Sequence, residues 1–292
     1  MKINRMCSNA TENLTKLIDW FSNNTDKVVI ALSGGVDSAV LALAGKKALG
    51  NNALCITANY KTLSHEELTT AIKVAKEIAI EHKIIDYDEL ENHEFTKNDE
   101  MRCYHCRKEL GQHLVQEASK FGIHFVVDGT NIDDLKEFRP GIKALRENSV
   151  RSPFVETGIN KSQIRSIAKQ FGISIYDKPN NSCLASRIPL GTRVTSEKLK
   201  KIEKSENIVK MMFDVKQVRV RDHGDIARIE VAREELSKLF DVNKLYLLDL
   251  RLKELGFKFV SIDAAGYRTG NLVLIGQLDH HEGQNQKQGS TS

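Results

Sequence analysis

An apolar run at residues 27–32 (KVVIAL) passes through Ser33-Gly34-Gly35-Val36-Asp37-Ser38 into a helical pattern over 38–49. That passage constrains the fold more than any other. A buried strand that turns through paired glycines into a helix begins a βαβ unit. The alternation then continues. Residues 53–58 read as the next strand, and 64–80 as a helix opened by a capping box of Ser64 and Glu67. Residues 83–86 follow as a third strand, 105–121 as another helix and 125–128 as a fourth strand. The expected architecture is α/β: a doubly wound parallel sheet over residues 1–190, with helices on both faces.

Beyond it, Asn160 and Gln163 make a second capping pair for a helix over 161–171. Residues 176–193 hold two of the four prolines and read as a long, functional loop. From Thr195 a lysine-rich helix leads to strands at 215–221 and 226–231, two helical stretches and a last strand at 258–264. These predict a smaller α+β domain over 191–278, serving substrate binding or oligomerisation. The polar stretch 279–292 is expected to be disordered.

Composition narrows the function. Of the 292 residues, 40% are hydrophobic and 28% charged, as in a soluble globular chain, and no apolar run is long enough to span a membrane. The first twenty residues lack the apolar core of a secretory signal, so the expected location is the cytoplasm. Forty-three basic residues against 39 acidic ones give only +4, too weak an excess for a nucleic-acid partner.

The turn at 33–38 suits an anion. Glycines let the backbone approach a phosphate, and the N–H groups and dipole of the following helix stabilise negative charge. Ser33 and Ser38 add hydroxyls, Val36 adds a backbone N–H, and Asp37 can hold Mg2+ between phosphates. The Gly-x-x-x-x-Gly-Lys-Ser/Thr pattern is absent, which argues against a γ-phosphate-cleaving NTPase. SGGVDS resembles the PP-loop of the ATP pyrophosphatases with an adenine nucleotide alpha hydrolase-like fold, which cleave ATP between the α and β phosphates. The resemblance implies ATP binding at Ser33, Gly34, Gly35, Val36, Asp37 and Ser38. Gly129, in Asp128-Gly129-Thr130-Asn131 after the fourth strand, stands at the carboxyl edge where such sheets take ligands.

Five cysteines, an odd number, argue against a disulfide framework. Cys55 reads as a buried hydrophobe, and Cys7, near a terminus expected to fray, has no assigned role. Cys103 and Cys106 form a CxxC pair open to zinc, redox or cluster chemistry, and Cys183 lies in the long loop. Zinc normally takes four ligands, whereas a cluster held by three thiolates keeps one iron open to exogenous sulfide.

Across residues 33–270 the chain resembles the LarE family of ATP-dependent sulfur transferases of nickel-pincer nucleotide cofactor synthesis. The matching runs are SGGVDSAVLA (33–42), CYHCRKEL (103–110), VVDGTNIDDLKEFRPGIKAL (126–145), CLASRIPLGTRVT (183–195), VRVRDHGDIARIEV (218–231) and LGFKFVSIDAAGYRTG (255–270). The resemblance implies that ATP adenylates a carboxylate of a pyridinium dicarboxylate mononucleotide, releasing pyrophosphate, and that sulfur then displaces AMP. It implies two types of enzyme. In one, a single loop cysteine matching Cys183 gives up its own sulfur. In the other, three cysteines, here Cys103, Cys106 and Cys183, hold a 4Fe-4S cluster reloaded by a sulfide donor. The presence of all three points to the second type. A trimer-built hexamer is also implied.

Arg219 and Arg221 alternate with Val218 and Val220, so both guanidiniums leave one strand face. Alternation alone reads as a solvated charged face. The resemblance implies instead that these arginines meet the substrate phosphate; Arg187 in the cysteine loop and Arg139 before Pro140 are weaker candidates for anion contacts. Glu230 reads either as a metal or substrate contact or as a solvated carboxylate, and Lys198, Lys200, Lys201 and Lys204 as a solvated helix face. His280 and His281 have no assigned role. The competing functions are tRNA thiolation, an amidotransferase-type synthetase for GMP or NAD, and a zinc-stabilised nucleotide-binding module.

Overall fold

A computed structural model describes residues 2–136 and 140–268. It divides after Cys183 into two compact units, Met1–Cys183 and Leu184–Ser292.

The first unit runs α1 (Lys2–Asn24), β1 (Val28–Ala31), α2 (Val36–Leu49), β2 (Ala53–Asn59), α3 (His65–Ile78), β3 (Glu81–Asp86), α4 (His93–Thr96), α5 (Arg102–Lys120), β4 (Val126–Val127), α6 (Pro140–Glu147), α7 (Pro153–Glu156) and α8 (Lys161–Gln170). The strands form a parallel sheet in the order β3-β2-β1-β4, with Val28 opposite Ala53 and Val29 opposite Val126. The chain leaves β1 to one side for β2 and returns on the other side as β4. The carboxyl end of β1 is therefore a switch point, where such sheets open a crevice for ligands.

Both faces of the sheet are covered, so β1 is apolar throughout and β2 is apolar from Ala53 to Ile56, with Thr57 the one buried polar residue among its first six. Val28, Ile30 and Cys55 join one core with α1, α2 and α8, while Val29, Leu54 and Ile56 join the other with α5. Cys55 is a buried core residue, as expected. Helix α2 is buried nearly all round, through Ala39, Val40, Leu41, Ala42 and Ala44.

The second unit contains α9 (Ser196–Phe213), β5 (Val218–His223), β6 (Ile226–Val231), α10 (Val242–Glu254) and β7 (Phe259–Ile262), preceded by a 3-10 turn at Leu184–Arg187. Its sheet has the order β5-β6-β7, with the first pair antiparallel and the second parallel. Val218, Val220, Ile229 and Val231 pack with Val209, Phe213, Leu248 and Leu252 in a separate core.

Several expectations are corrected. The N-terminus is helical from Lys2, and α6 and α7 occupy stretches to which the sequence assigned no element. The Asn160–Gln163 capping box forms in full. At α3 only half of the expected box exists: Ser64 accepts from the Glu67 N–H, but the Glu67 carboxylate is engaged by Lys178 and Asn181. Within the lysine-rich face of α9, Lys201 is not solvated; it pairs with Asp222 at 3.3 Å and covers the Phe257 ring. Arg139, His280, His281 and residues 279–292 lie outside the described residues. No helix among the described residues is long and apolar enough to cross a membrane.

Candidate active site

The turn between β1 and α2 carries Ser33, Gly34, Gly35, Val36, Asp37 and Ser38. Gly34 adopts φ +77, and a Cβ there would run into the Glu67 carbonyl, so only glycine fits. The Gly35 N-cap lacks a capping side chain, which leaves the first N–H groups of α2 facing an approaching anion. The Ser33 N–H donates to Ser38 Oγ at 3.1 Å, and Ser38 Oγ donates to the Gly35 carbonyl at 3.0 Å. With that proton committed, the Ser33 hydroxyl is the donor in its 3.2 Å contact with Ser38 Oγ. Gly129 comes from the end of β4. A Cβ on it would sit 3.0 Å from the Ser38 nitrogen, so the glycine lets two backbones meet at the helix start.

Asp37 is joined to Lys161, whose ammonium donates to both carboxylate oxygens at 2.6 Å, and Asn131 Nδ2 approaches at 3.4 Å. Burial pushes the Asp37 carboxyl above the usual aspartate range, and Lys161 opposes that shift. Lys161 therefore holds a position that a cation beside phosphates would also favour. Sequence reading missed Lys161: it opens α8, and nothing local says that it reaches a turn 124 residues earlier. Lys178 was missed too. It donates to the Gly34 carbonyl at 3.2 Å and pairs with Glu67 at 2.9 Å.

The three candidate cysteines gather in this same unit. Cys103 and Cys106 occupy the first turns of α5, three residues apart and so on neighbouring helix positions. Cys103 is exposed, Cys106 and Cys183 are half-buried, and no disulfide joins them. Burial pushes the Cys106 thiol well up, reinforced by the nearby Cys183, Glu89 and Cys103 and opposed by Arg107. The buried Arg102 hydrogen-bonds Cys103 and feels Cys183 and Cys106, which favour its charge against the cost of burial. Tyr60 and Tyr87 close the surroundings; the phenols of both are pushed up by burial first and by Cys106 next.

Among the described residues no three Cys, His, Asp or Glu side chains are arranged to hold a single metal ion. A cubane cluster asks for something else, because it spreads its irons and so its cysteines. The donor set here, three thiols beside two guanidiniums, fits an anionic thiolate-ligated cluster, whose iron would supply the charge that turns a buried thiol into a thiolate.

The second unit holds the arginines, and they are not solvated. Arg219 and Arg221 share a face of β5 but are only 4% and 5% exposed, and Arg187 is buried. Arg187 forks onto Glu206 at 2.8 and 3.1 Å. Arg221 places two nitrogens on one oxygen of Glu230, at 3.1 and 2.8 Å, while Arg228 takes the other oxygen at 3.0 Å. Glu230 is thus a fully buried ion-pair partner rather than a solvated carboxylate. Arg219 donates to the Val218 carbonyl at 2.7 Å and lies over the Tyr267 ring. Burial and the neighbouring Arg187 bring the Arg219 guanidinium down to about 10. The network carries more positive than negative charge, and an anion would relieve it.

Residues 7–111 match the NAD synthase family. An uncharacterized protein of Synechocystis is 38% identical over 270 residues, 92% of this chain and 99% of that protein. An uncharacterized protein of Methanocaldococcus jannaschii is 36% identical over 216 residues, 74% of this chain and 81% of its own. The pyridinium-3,5-bisthiocarboxylic acid mononucleotide synthase of Lactiplantibacillus plantarum is 29% identical over 222 residues, 76% of this chain and 79% of that protein.

Proposed function

Because the chain belongs to the LarE family and carries its ATP-using PP-loop domain, we propose that it inserts sulfur into pyridinium-3,5-biscarboxylate mononucleotide for nickel-pincer cofactor synthesis. The glycine turn and the first N–H groups of α2 orient the ATP phosphates. A substrate carboxylate oxygen attacks the α-phosphorus, pyrophosphate leaves, and the carboxyl becomes an acyl adenylate. Asp37 is the residue that would hold Mg2+, whose charge would ease the departure of pyrophosphate. Lys161 holds Asp37 in place and adds a second positive charge. Sulfur then displaces AMP and leaves a thiocarboxylate.

What supports this reading is that Cys103, Cys106 and Cys183 all belong to the unit that bears the phosphate loop, and that the Cys183 segment is tied beside that loop through Asn181 and Glu67. We assign these three as ligands of a 4Fe-4S cluster, which when bound supplies an iron site for the sulfide to be transferred. Arg102 hydrogen-bonds Cys103 and offsets thiolate charge, and Arg107 opposes the upward push on the Cys106 thiol. In the second unit, the buried cluster of Arg187, Arg219 and Arg221 supplies the excess positive charge for the substrate's phosphate. The exposed Val242, Tyr246 and Leu250, spaced along one face of α10, support assembly with further copies of the chain.

In a second reading Cys183 itself is consumed, attacking the acyl adenylate from the segment that Asn181 ties to Glu67 beside the phosphate loop. The test is iron and acid-labile sulfide quantitation on anaerobic protein, with turnover counting and mass spectrometry of the Cys183 peptide. About four irons per chain, multiple turnovers and an intact Cys183, all lost in Cys103→Ala, support the cluster reading. Iron-free protein that makes one product per chain, with Cys183 stripped of its sulfur, replaces it with the sacrificial one.

A further inference from the structure

One carboxylate ties the segment that carries Cys183 to the phosphate loop. Glu67, in the first turn of α3, pairs with Lys178 Nζ at 2.9 Å and accepts from Asn181 Nδ2 at 3.0 Å. The same ammonium donates to the Gly34 carbonyl and to Thr70 Oγ1, each at 3.2 Å. Gly34 in turn packs so tightly on the Glu67 carbonyl that no Cβ fits between them. Arg165 pins the segment from behind, donating to the carbonyls of Tyr176 and Lys178 at 2.8 Å. The Lys178 and Glu67 side chains are only 15% and 11% exposed, so charge-assisted bonds among these groups are stronger than surface pairs. Cys183 follows Asn181 by two residues.

We propose that Glu67, Lys178 and Asn181 form a latch that sets the position of the Cys183 segment according to whether the phosphate loop holds a nucleotide. The proposal rests on the nucleotide reading of residues 33–38. Its physical basis is competition for one ammonium. Lys178 is shared by the Gly34 carbonyl and the Glu67 carboxylate. A triphosphate arriving beside Gly34 brings stronger acceptors, drawing Lys178 away and leaving Glu67 held through Asn181 alone. The two states thus differ in a named contact, which an effector must have if it is to shift an equilibrium. Coupling is reciprocal, so an altered Cys183 segment also changes nucleotide affinity. Glu67, Lys178 and Asn181 act here as positioning residues; none is assigned contact with the reacting carbonyl.

The test is amide hydrogen exchange on the full chain as purified, following peptides over 176–183, with and without Mg2+ and a non-hydrolysable ATP analogue whose Kd is measured by calorimetry. In the wild type the analogue is expected to change exchange over 179–183 about tenfold. Glu67→Gln and Asn181→Ala are expected to bind the analogue within about threefold of wild type yet lose that change, because each cuts an arm of the latch. Lys178→Met should lose it as well, and Lys178→Arg should recover part of it. A nucleotide-dependent change of equal size in Asn181→Ala and Glu67→Gln, or none in a wild type that binds the analogue, overturns the latch. A wild type that does not bind the analogue at all overturns the nucleotide reading, and the latch with it.

Discussion

Asp37 and Lys161 meet with side chains 22% and 24% exposed, whereas Arg187 and Glu206 meet at 0% and 8% and Arg221 and Glu230 at 7% and 0%. The chemistry is the same and the surroundings are opposite. In the first unit the pair sits at the rim of a turn whose shape comes from glycines and from a core that does not include it. In the second unit the pairs lie inside, and Glu206 also accepts the Val220 N–H at 3.0 Å, so the carboxylate is built into the sheet. A rim pair can be exchanged for a metal and phosphates at little cost. A buried pair cannot lose one partner without stranding the other.

The sharpest way to break that contrast is Glu206→Ala. It leaves the Arg187 guanidinium buried without its fork and should cost about 3–5 kcal/mol. Urea denaturation measures this through a lower midpoint at unchanged slope; a loss of the size seen for surface pairs would put the two kinds of pair on one footing. Gly34→Ala comes next. It forces a side chain into a left-handed turn and against the Glu67 carbonyl, so about 1–3 kcal/mol of stability should go, together with nucleotide binding. Calorimetric titration with ATP on folded Gly34→Ala protein separates the two losses.

Asp37→Asn should do the reverse of Glu206→Ala. Its effect on stability should stay below about 1 kcal/mol, since the pair it removes is partly solvated. Substrate-dependent pyrophosphate release should fall at least about a hundredfold. If the protein instead unfolds while residual activity per folded molecule is normal, Asp37 belongs with the buried pairs and not with catalysis.

The same contrast explains what the sequence revealed. Strands β1 and β2 were legible because burial on both faces leaves runs of four apolar residues or more, and the phosphate loop because a turn at positive φ selects glycine. The common face of Arg219 and Arg221 followed from the period of a strand. The burial of Arg221 and Arg187 did not, because it depends on Glu230 and Glu206, which look like ordinary surface carboxylates in sequence. Lys161 and Lys178 were hidden for the same reason, reaching the loop from 124 and 144 residues away. The half-formed capping box at Ser64 is the converse case. Its local signal was sound, but a tertiary partner of Glu67 outcompeted the local bond.

The smallest effect concerns a half-buried group that avoids charge altogether. Thr57 gives its proton to the Leu32 carbonyl at 2.6 Å, so the 2.8 Å contact between Thr57 Oγ1 and His82 Nε2 has the imidazole N–H donating. Burial lowers the His82 pKa below its ordinary 6.5. The folded chain therefore binds that proton less readily than the unfolded chain. The resulting stability is fully present above about pH 6.5 and is lost as pH falls through the lowered folded value. His223, at the exposed end of β5, is also lowered, by partial loss of solvent and then by Arg228, and adds a smaller slope of the same sign. His82→Gln should keep the donor to Thr57 and flatten part of the decline in urea midpoint between about pH 8 and about pH 5, with His223→Gln removing a further share. An unchanged pH slope in the double variant would mean that these imidazoles lose no solvation on folding, and that the acid sensitivity of the chain resides in its carboxylates.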